Sequence, residues 1–306
     1  MINILYIAGA GRSGSTLLER ILGQLDGVVN VGELRHAWRH APTTQRCGCG
    51  EILSECTYWQ EVMARTQFPL TAEGFADLYA AQRKVDRIRY IPGMLNKSLG
   101  SDEFIRNHAI YTGTLRKIYT AIHDLTGSHT IVDASKDMST LYLLRETADL
   151  RLRVLHLVRD SRAVAYSWTR EKVRADLVDE TAYIGRYSPQ HSALDWIYRN
   201  QMTEMARGRV DGYIRLRYEE LVANPLEVTG RIARFIELPE PDLGFINDGE
   251  IQFSKESHAL AGNPMRFQKG GVKLKMDSAW QQEFRKADKA VVTALTWPML
   301  RRYNYL

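Results

Sequence analysis

Ile4-Leu5-Tyr6-Ile7-Ala8-Gly9-Ala10-Gly11-Arg12-Ser13-Gly14-Ser15-Thr16, continued by Leu17-Leu18-Glu19-Arg20-Ile21-Leu22, decides the fold. A short apolar run stops at a Gly/Ser-rich turn and a helical pattern starts directly after it. That is the order strand, phosphate loop, helix N-terminus. Gly9, Gly11 and Gly14 leave room for main-chain N–H groups to face an anion, and the helix starting near Ser15 adds its unpaired N–H groups and the positive end of its dipole. Gly9 to Gly14 has the G-x-x-x-x-G spacing, but Ser15 stands where nucleoside triphosphatases place Lys, and the cation lies inside the loop at Arg12. A Lys on the β- and γ-phosphates and a hydroxyl on Mg²⁺ serve a triphosphate. A guanidinium fork suits a shorter anion with planar, bidentate demands. A ligand-free glycine turn is the alternative, and it leaves the succession of strand, loop and helix without a reason.

Outside this stretch the composition sets bounds. The 306 residues suffice for one large α/β domain or two small ones, with 44% apolar residues for a core and 25% charged. A net charge of +5 fits an anionic ligand and does not by itself indicate a nucleic-acid protein. No apolar run has the length of a membrane span. The N-terminus enters a strand at once, without the basic start and cleavage site of a signal peptide, so the expectation is a soluble, cytoplasmic chain.

The three cysteines fall in Arg46-Cys47-Gly48-Cys49-Gly50-Glu51-Ile52-Leu53-Ser54-Glu55-Cys56. C-x-C-x6-C lacks the paired C-x2-C of common zinc modules, and a fourth ligand would have to be His36, His40 or a distant group. A Cys49–Cys56 or Cys47–Cys56 disulfide is disfavoured in a cytosolic chain. The expectation is a packed or redox-bonded loop ahead of a zinc site.

Further along, chemistry-bearing residues follow strand after strand. Val28-Val29-Asn30-Val31 reads as a second parallel strand ending at Gly32-Glu33, which puts Glu33 on the ligand edge of an open α/β sheet. On spacing alone, Glu33 is equally a helix-start carboxylate for Leu34-Arg35-His36-Ala37-Trp38. Residues 57 to 126 read as mainly helical, with helices at 73–90 and 103–125 punctuated by Pro69 and Pro92-Gly93, an excursion of the kind that covers a ligand edge as a lid. His129 to Asp133 is the next strand, followed by Ala134-Ser135-Lys136-Asp137. Arg153 to Val158 is a buried strand that exits into Arg159, with Ser167 two turns into the following helix; a fork and a hydroxyl make a reasonable cradle for a second phosphate. Tyr213 to Tyr218 is a further strand leading into Glu219-Glu220-Leu221-Val222-Ala223-Asn224-Pro225. Residues 239 to 276 read as loop, and a closing helix is expected over 278–291 before Pro298.

The loop around Arg12 resembles the first signature of the sulfotransferases that use 3′-phosphoadenosine 5′-phosphosulfate (PAPS), in which Arg or Lys precedes Ser-Gly-Thr/Ser-Thr. Arg159 and Ser167 match that family's second signature, Arg-x7-Ser, which binds the 3′-phosphate. Gly32-Glu33 is similar to the catalytic Gly-Glu of the tyrosylprotein branch, with His36 as the competing base, since other branches use a His. Lys136 resembles the Lys that reaches the sulfuryl group, and Tyr218 in Arg217-Tyr218-Glu219 the Tyr beside the adenosine. Of the third signature, Arg-Lys-Gly-x-x-Gly, only Lys269-Gly270 fits closely, with Arg266 three residues upstream. The Cys-containing stretch is similar to a loop of many bacterial members, outside the catalytic signature.

The resemblance covers nearly the whole chain. It implies one α/β domain over 1–306, a P-loop-type three-layer fold with a central parallel sheet and a Cys-loop-plus-helical insertion over 40–126. It also implies PAPS as donor and its 3′,5′-bisphosphate product PAP. Gly11, Arg12, Ser13, Gly14, Ser15, Thr16, Arg159, Ser167, Tyr218, Arg266 and Lys269 are the expected donor-binding residues, and Glu33, Arg12 and Lys136 the catalytic ones. A sulfuryl donor has no γ-phosphate for a metal to bridge, so no metal is expected. The acceptor is expected to be a small-molecule, lipid or carbohydrate hydroxyl. A P-loop kinase of a small alcohol or nucleoside, using ATP with Mg²⁺, and a non-catalytic nucleotide-binding protein are the competing classes.

Overall fold

The structure, a computed structural model, describes residues 1–171, 173–174, 176–179 and 183–306. The opening apolar run forms β1 (Ile2–Ala8), which leads through the glycine loop into α1 (Ser15–Leu22). β2 (Val28–Gly32) and the one-turn α2 (Leu34–Ala37) follow, then α3 (Thr57–Thr66), α4 (Ala72–Val85), α5 (Ile91–Leu95) and α6 (Asp102–Thr126). The chain returns to the sheet with β3 (Thr130–Lys136), α7 (Met138–Arg145), β4 (Leu150–Val158), α8 (Ser161–Thr169), α9 (Pro189–Ala206) and β5 (Gly212–Arg217). These five strands make one parallel sheet in the order β2-β3-β1-β4-β5. β1 is a near-continuous apolar run, as expected of a central strand covered by helices on both faces, and β4 is buried along nearly its whole length.

The register sets the site. Ala8 pairs with Lys136 of β3 on one side and with His156 of β4 on the other. The loop after β1 therefore leaves the sheet between the strand ends that carry Lys136 and Arg159. Gly32 pairs with Asp133, which brings Glu33 to the same edge.

Alternation along β1 divides the core. Ile2, Ile4, Tyr6 and Ala8 pack with Trp59, Phe75, Tyr111, Ile118 and Leu141 on one face, and Leu5 and Ile7 with Leu18, Ile21 and Ile232 on the other. α6 supplies much of the first layer. Ser101 caps it by accepting from Phe104 N–H at 3.2 Å, Gly127 ends it at φ +60°, and Phe104, Tyr111, Leu115, Ile118 and Ile122 recur at helical spacing on its buried side. The helices between α2 and β3 thus form a layer of the sheet's core. Among the described residues, none that lines the cavity described below lies between 40 and 126. α4 stops at Val85, short of the expected 90, because Arg87 is extended.

After β5 come α10 (Tyr218–Ala223) and α11 (Pro225–Phe235), then β6 (Ile246–Asn247), β7 (Glu250–Phe253) and β8 (Gly270–Lys273) in an antiparallel sheet of their own. The stretch read as loop therefore holds a small sheet whose strands are two to four residues long, too short to show a period. α12 (Ala279–Glu283) stops at the extended Phe284, and α13 (Lys286–Arg302) then runs through Pro298 and packs on α8 and α9. Burial of Val292, Thr296, Met299 and Leu300 keeps that helix going past a residue that would end an exposed one. Among the described residues, no helix is long and apolar enough to cross a membrane.

Candidate active site

The glycine loop is held by close approaches. Gly9 has φ +126°, and a Cβ there would lie 2.4 Å from the Leu157 carbonyl oxygen. Gly14 has φ +88°, and a Cβ there would lie 2.4 Å from the Tyr218 ring. Gly14 is also the N-cap of α1 and offers no side chain to its first N–H groups, so those donors remain for an anion. Arg12 takes φ +64° and its guanidinium lies over Trp168, 4.7 Å from the ring centroid. Burial draws this guanidinium below its ordinary pKa, and the Glu33 carboxylate opposes the shift. Arg12 Nε and Ser13 Oγ are buried without a hydrogen-bond partner.

Across the edge, Glu33 follows β2 and Lys136 ends β3 at φ +62°. Lys136 Nζ donates to Glu33 Oε1 at 2.5 Å and to the Ala134 carbonyl at 2.7 Å. His36, one turn on, places Nε2 3.7 Å from Glu33 Oε2. Burial, then Arg35 and Arg39, lower its pKa to about 3, so the imidazole is neutral. Beneath them Arg35 is gripped by Asp86 at 2.9 Å and Asp137 at 3.2 Å, and Thr140 donates to Asp86 at 2.8 Å. This pins the start of α2, and with it Glu33, to the end of α4 and the start of α7.

Arg159 immediately follows β4. Its Nη1 donates to the Arg12 carbonyl at 3.0 Å, its Nη2 to Asp277 Oδ2 at 2.9 Å, and its guanidinium covers the Tyr218 ring at 4.5 Å. Trp196 Nε1 donates to the Arg159 carbonyl at 3.0 Å and fixes the strand exit.

These groups meet in a cavity of 730 Å³. Gly11, Arg12, Gly14, Ser15 and Thr16 line it from the loop, and Glu33, His36, Lys136, Arg159, Ser167 and Tyr218 from the other strand ends. Ser13, Arg266 and Lys269 do not. Arg266 is buried beside it: Nη1 donates to the Ala259 and Ala261 carbonyls at 3.0 and 2.9 Å and Nη2 to the Arg46 carbonyl at 2.5 Å, a role in holding main chain. Lys269 is exposed just before β8.

Lys273 and Lys275 are the cations of this segment that line the cavity. Their signal was the alternation Val272-Lys273-Leu274-Lys275, which puts both on one side of an extended chain. Gly262, at φ +98°, carries the backbone so close that an added Cβ would lie 3.6 Å from Glu33 Oε1 and 3.5 Å from Thr16 Oγ1. The far side of the cavity is lined by Trp168, Tyr183, Tyr187, Asp195 and Arg199, the last two ion-paired at 2.9 Å. The arrangement offers two neighbouring cationic corners, at the Arg12 loop and at Arg159, with the Glu33 carboxylate and the Lys136 ammonium on the side of the loop away from Arg159.

The profile of the Sulfotransferase family matches residues 5–242. No curated protein matches the chain. Among solved structures, the sulfotransferase domain from the curacin biosynthetic pathway is similar at 15% identity, with 96% of this chain and 97% of that one covered and a TM-score of 0.46. A sulfotransferase from Mycobacterium avium is similar at 14% identity over 78% of this chain and 64% of that one, TM-score 0.42. Retinol dehydratase, solved with retinol and PAP, is similar at 13% identity over 97% and 81%, TM-score 0.38. With a family match running from β1 past α11, the chain belongs to the sulfotransferase family.

Proposed function

We propose that this enzyme moves a sulfuryl group from PAPS to the hydroxyl of a small-molecule, lipid or carbohydrate acceptor by in-line displacement. The observation that carries the reading is the contact of Arg159 with the Arg12 carbonyl at 3.0 Å, which sets a second anion corner directly beside the phosphate loop. A donor phosphorylated at both 5′ and 3′ positions requires two such corners. Gly14, cleared of a side chain, and the unpartnered Arg12 Nε fit a phosphate on the loop, and the Tyr218 ring, which lines the cavity beside Arg159, fits the nucleoside.

In this reading the loop N–H groups, Ser15 and Thr16 hold the 5′-phosphosulfate, and Arg159 and Ser167 hold the 3′-phosphate, with Lys273 and Lys275 as further cations around the donor. Glu33 accepts the proton of the acceptor hydroxyl as its oxygen bonds to sulfur. The sulfur–oxygen bond to the 5′-phosphate breaks in the same step, and its electron pair stays on the bridging oxygen. Arg12 and Lys136 stabilise the charge that builds there. Those two cations supply the neutralisation that a metal supplies to a triphosphate, so the reaction needs no Mg²⁺.

The test is binding of PAP and of ATP with Mg²⁺ to the purified chain, with and without a chelator, followed by transfer of ³⁵S from labelled PAPS to a panel of alcohols, phenols and sugars. Tight PAP binding that survives chelation, with label on an acceptor, is expected. Preference for ATP with Mg²⁺ would replace this reading by a kinase. PAP binding without transfer to any acceptor would favour a nucleotide-binding protein.

A further inference from the structure

Outside the cavity, four ligand-type atoms converge. Cys47 Sγ, Cys49 Sγ, Cys56 Sγ and a ring nitrogen of His258 all lie within 4.8 Å of one another. His258 Nδ1 is 3.6 Å from Cys47 Sγ and 3.4 Å from Cys56 Sγ, and Cys56 Sγ is 3.5 Å from Cys47 Sγ and 3.9 Å from Cys49 Sγ. A tetrahedral ion with bonds of about 2.3 Å to sulfur and about 2.0 Å to nitrogen has sulfur–sulfur edges of roughly 3.8 Å and sulfur–nitrogen edges of roughly 3.5 Å. These four separations are close to those edges, and the remaining two are within 4.8 Å. A disulfide would join two of the sulfurs and leave the third, and the imidazole, without a function.

We propose that Cys47, Cys49, Cys56 and His258 bind one structural zinc ion, which clamps the loop after α2 to the segment that walls the Glu33 carboxylate. Three thiolates and an imidazole are a donor set that suits zinc, and four protein ligands close the site to substrate. The turn is shaped for it: Cys47 N–H donates to the Glu51 carbonyl at 2.8 Å, Gly50 N–H to the Cys47 carbonyl at 2.9 Å, and Gly50 takes φ +104°. The imidazole is held on its other sides. Its ring stacks on Tyr58 at 4.4 Å with an interplanar angle of 5°, and Nε2 lies 3.7 Å from Glu256 Oε2, an outer carboxylate of the kind that orients metal-bound histidines.

The clamp has a consequence for the active site. Gly48 N–H donates to the Ala259 carbonyl at 3.0 Å, Leu260 N–H to the Val31 carbonyl at 2.9 Å, and Glu33 N–H to the Leu260 carbonyl at 2.7 Å. From His258 the chain thus runs past the end of β2 onto the main chain of Glu33 and on to Gly262. Arg266, on the carbonyls of Arg46 and Ala259, places a guanidinium beside a filled site of net charge −1 (three thiolates and a dication). Loading displaces the protons of the three thiols.

The experiment is metal analysis of the full chain purified without chelator, with cobalt substitution as the spectroscopic probe. Zinc at one ion per chain is expected, along with thiolate-to-cobalt charge transfer and the intense ligand-field bands of a tetrahedral site after exchange. Stripping the ion should lower the melting temperature by about 5 °C or more, and added zinc should restore it. In His258→Ala the cobalt bands should shift and zinc affinity fall by more than the ~10-fold typical of lost outer-shell partners. A disulfide in the freshly purified chain, or three thiols that react fully in the native protein at substoichiometric zinc, would overturn the site. Unaltered cobalt bands in His258→Ala would remove the fourth ligand. The wild-type measurements stand even if a cysteine variant does not fold.

Discussion

Lys136 Nζ and Glu33 Oε1 meet at 2.5 Å across the ends of β2 and β3, so the proposed base and the proposed charge-stabilising ammonium are each other's partners. The pair holds both groups at the edge where donor and acceptor must meet. A sulfuryl group entering between Arg12 and Lys136 gives the ammonium a second anion, which leaves the carboxylate free to accept a proton. Glu33→Gln keeps the shape and a hydrogen bond but removes the basicity. Its turnover should fall by at least ~10²-fold, the usual scale for a lost general base, while PAP affinity stays near wild type. Lys136→Met should cost turnover on the ~10²-fold scale of a lost transition-state donor. Full turnover in Glu33→Gln, with His36 intact beside it, would transfer the base to His36.

Arg159 is shared between the Arg12 carbonyl and Asp277. A 3′-phosphate must compete with that carboxylate for the same guanidinium. Asp277→Asn should therefore tighten PAP by a few-fold, the range of a partly exposed ion pair, whereas Arg159→Ala should weaken it by roughly 10- to 100-fold, the worth of a charged hydrogen bond. Isothermal titration of both variants checks the pair of signs. Equal affinity in Arg159→Ala and wild type would move the 3′-phosphate elsewhere.

Much of this edge was legible in the sequence because the relevant residues sit at strand ends, and a strand end is a local signal. Apolar runs stopping before Arg12, Glu33, Lys136 and Arg159 are enough to bring all four to one side of a parallel sheet. What the sequence hid depends on contacts between distant segments. His258 completes the cysteine cluster from 202 residues beyond Cys56, a separation that no spacing rule reaches. The donation of Arg266, a cation near Lys269-Gly270, to the Arg46 carbonyl is likewise a long-range contact that its neighbours in sequence do not announce. Which sheet face the helices before β3 pack on is equally hidden, because nothing local tells a helix on a sheet face from one over its edge.

Arg266 and the Lys273–Lys275 pair consequently separate stability from donor binding. Arg266→Met takes the guanidinium donor from the carbonyls of Arg46 and Ala261, while Ala259 keeps the Gly48 N–H, and buried unsatisfied acceptors cost about 1–3 kcal/mol each before relaxation. The variant should melt earlier and, where folded, bind PAP with little change. Lys273→Ala with Lys275→Ala should leave melting close to wild type, weaken PAP and flatten its dependence on salt. Thermal melts and titrations at two ionic strengths distinguish the two. A stable Arg266→Met with lost PAP affinity would return Arg266 to the donor site.

His156 lies on β4, fully buried, with Nε2 donating to Asn200 Oδ1 at 2.7 Å and Nδ1 accepting from the Tyr213 hydroxyl at 2.7 Å. Burial lowers its pKa to about 4 from an ordinary 6.5, against the opposing hydrogen bond to Asn200. Between those values the unfolded chain binds a proton that the native imidazole refuses, so stability rises with pH across the window. The contribution is complete above the unfolded value and is lost as pH falls toward the folded one, reaching a loss of about 2 kcal/mol at pH 5. His156→Gln removes the titration but keeps a donor and an acceptor. Carboxylates elsewhere titrate alike in both proteins, so the difference between them isolates His156. Urea midpoints at pH 7 and pH 5 should therefore drop more in wild type than in His156→Gln. Equal drops would mean that β4 admits an imidazolium between Tyr213 and Asn200, and that the apolar packing around the strand leading to Arg159 is looser than its burial implies.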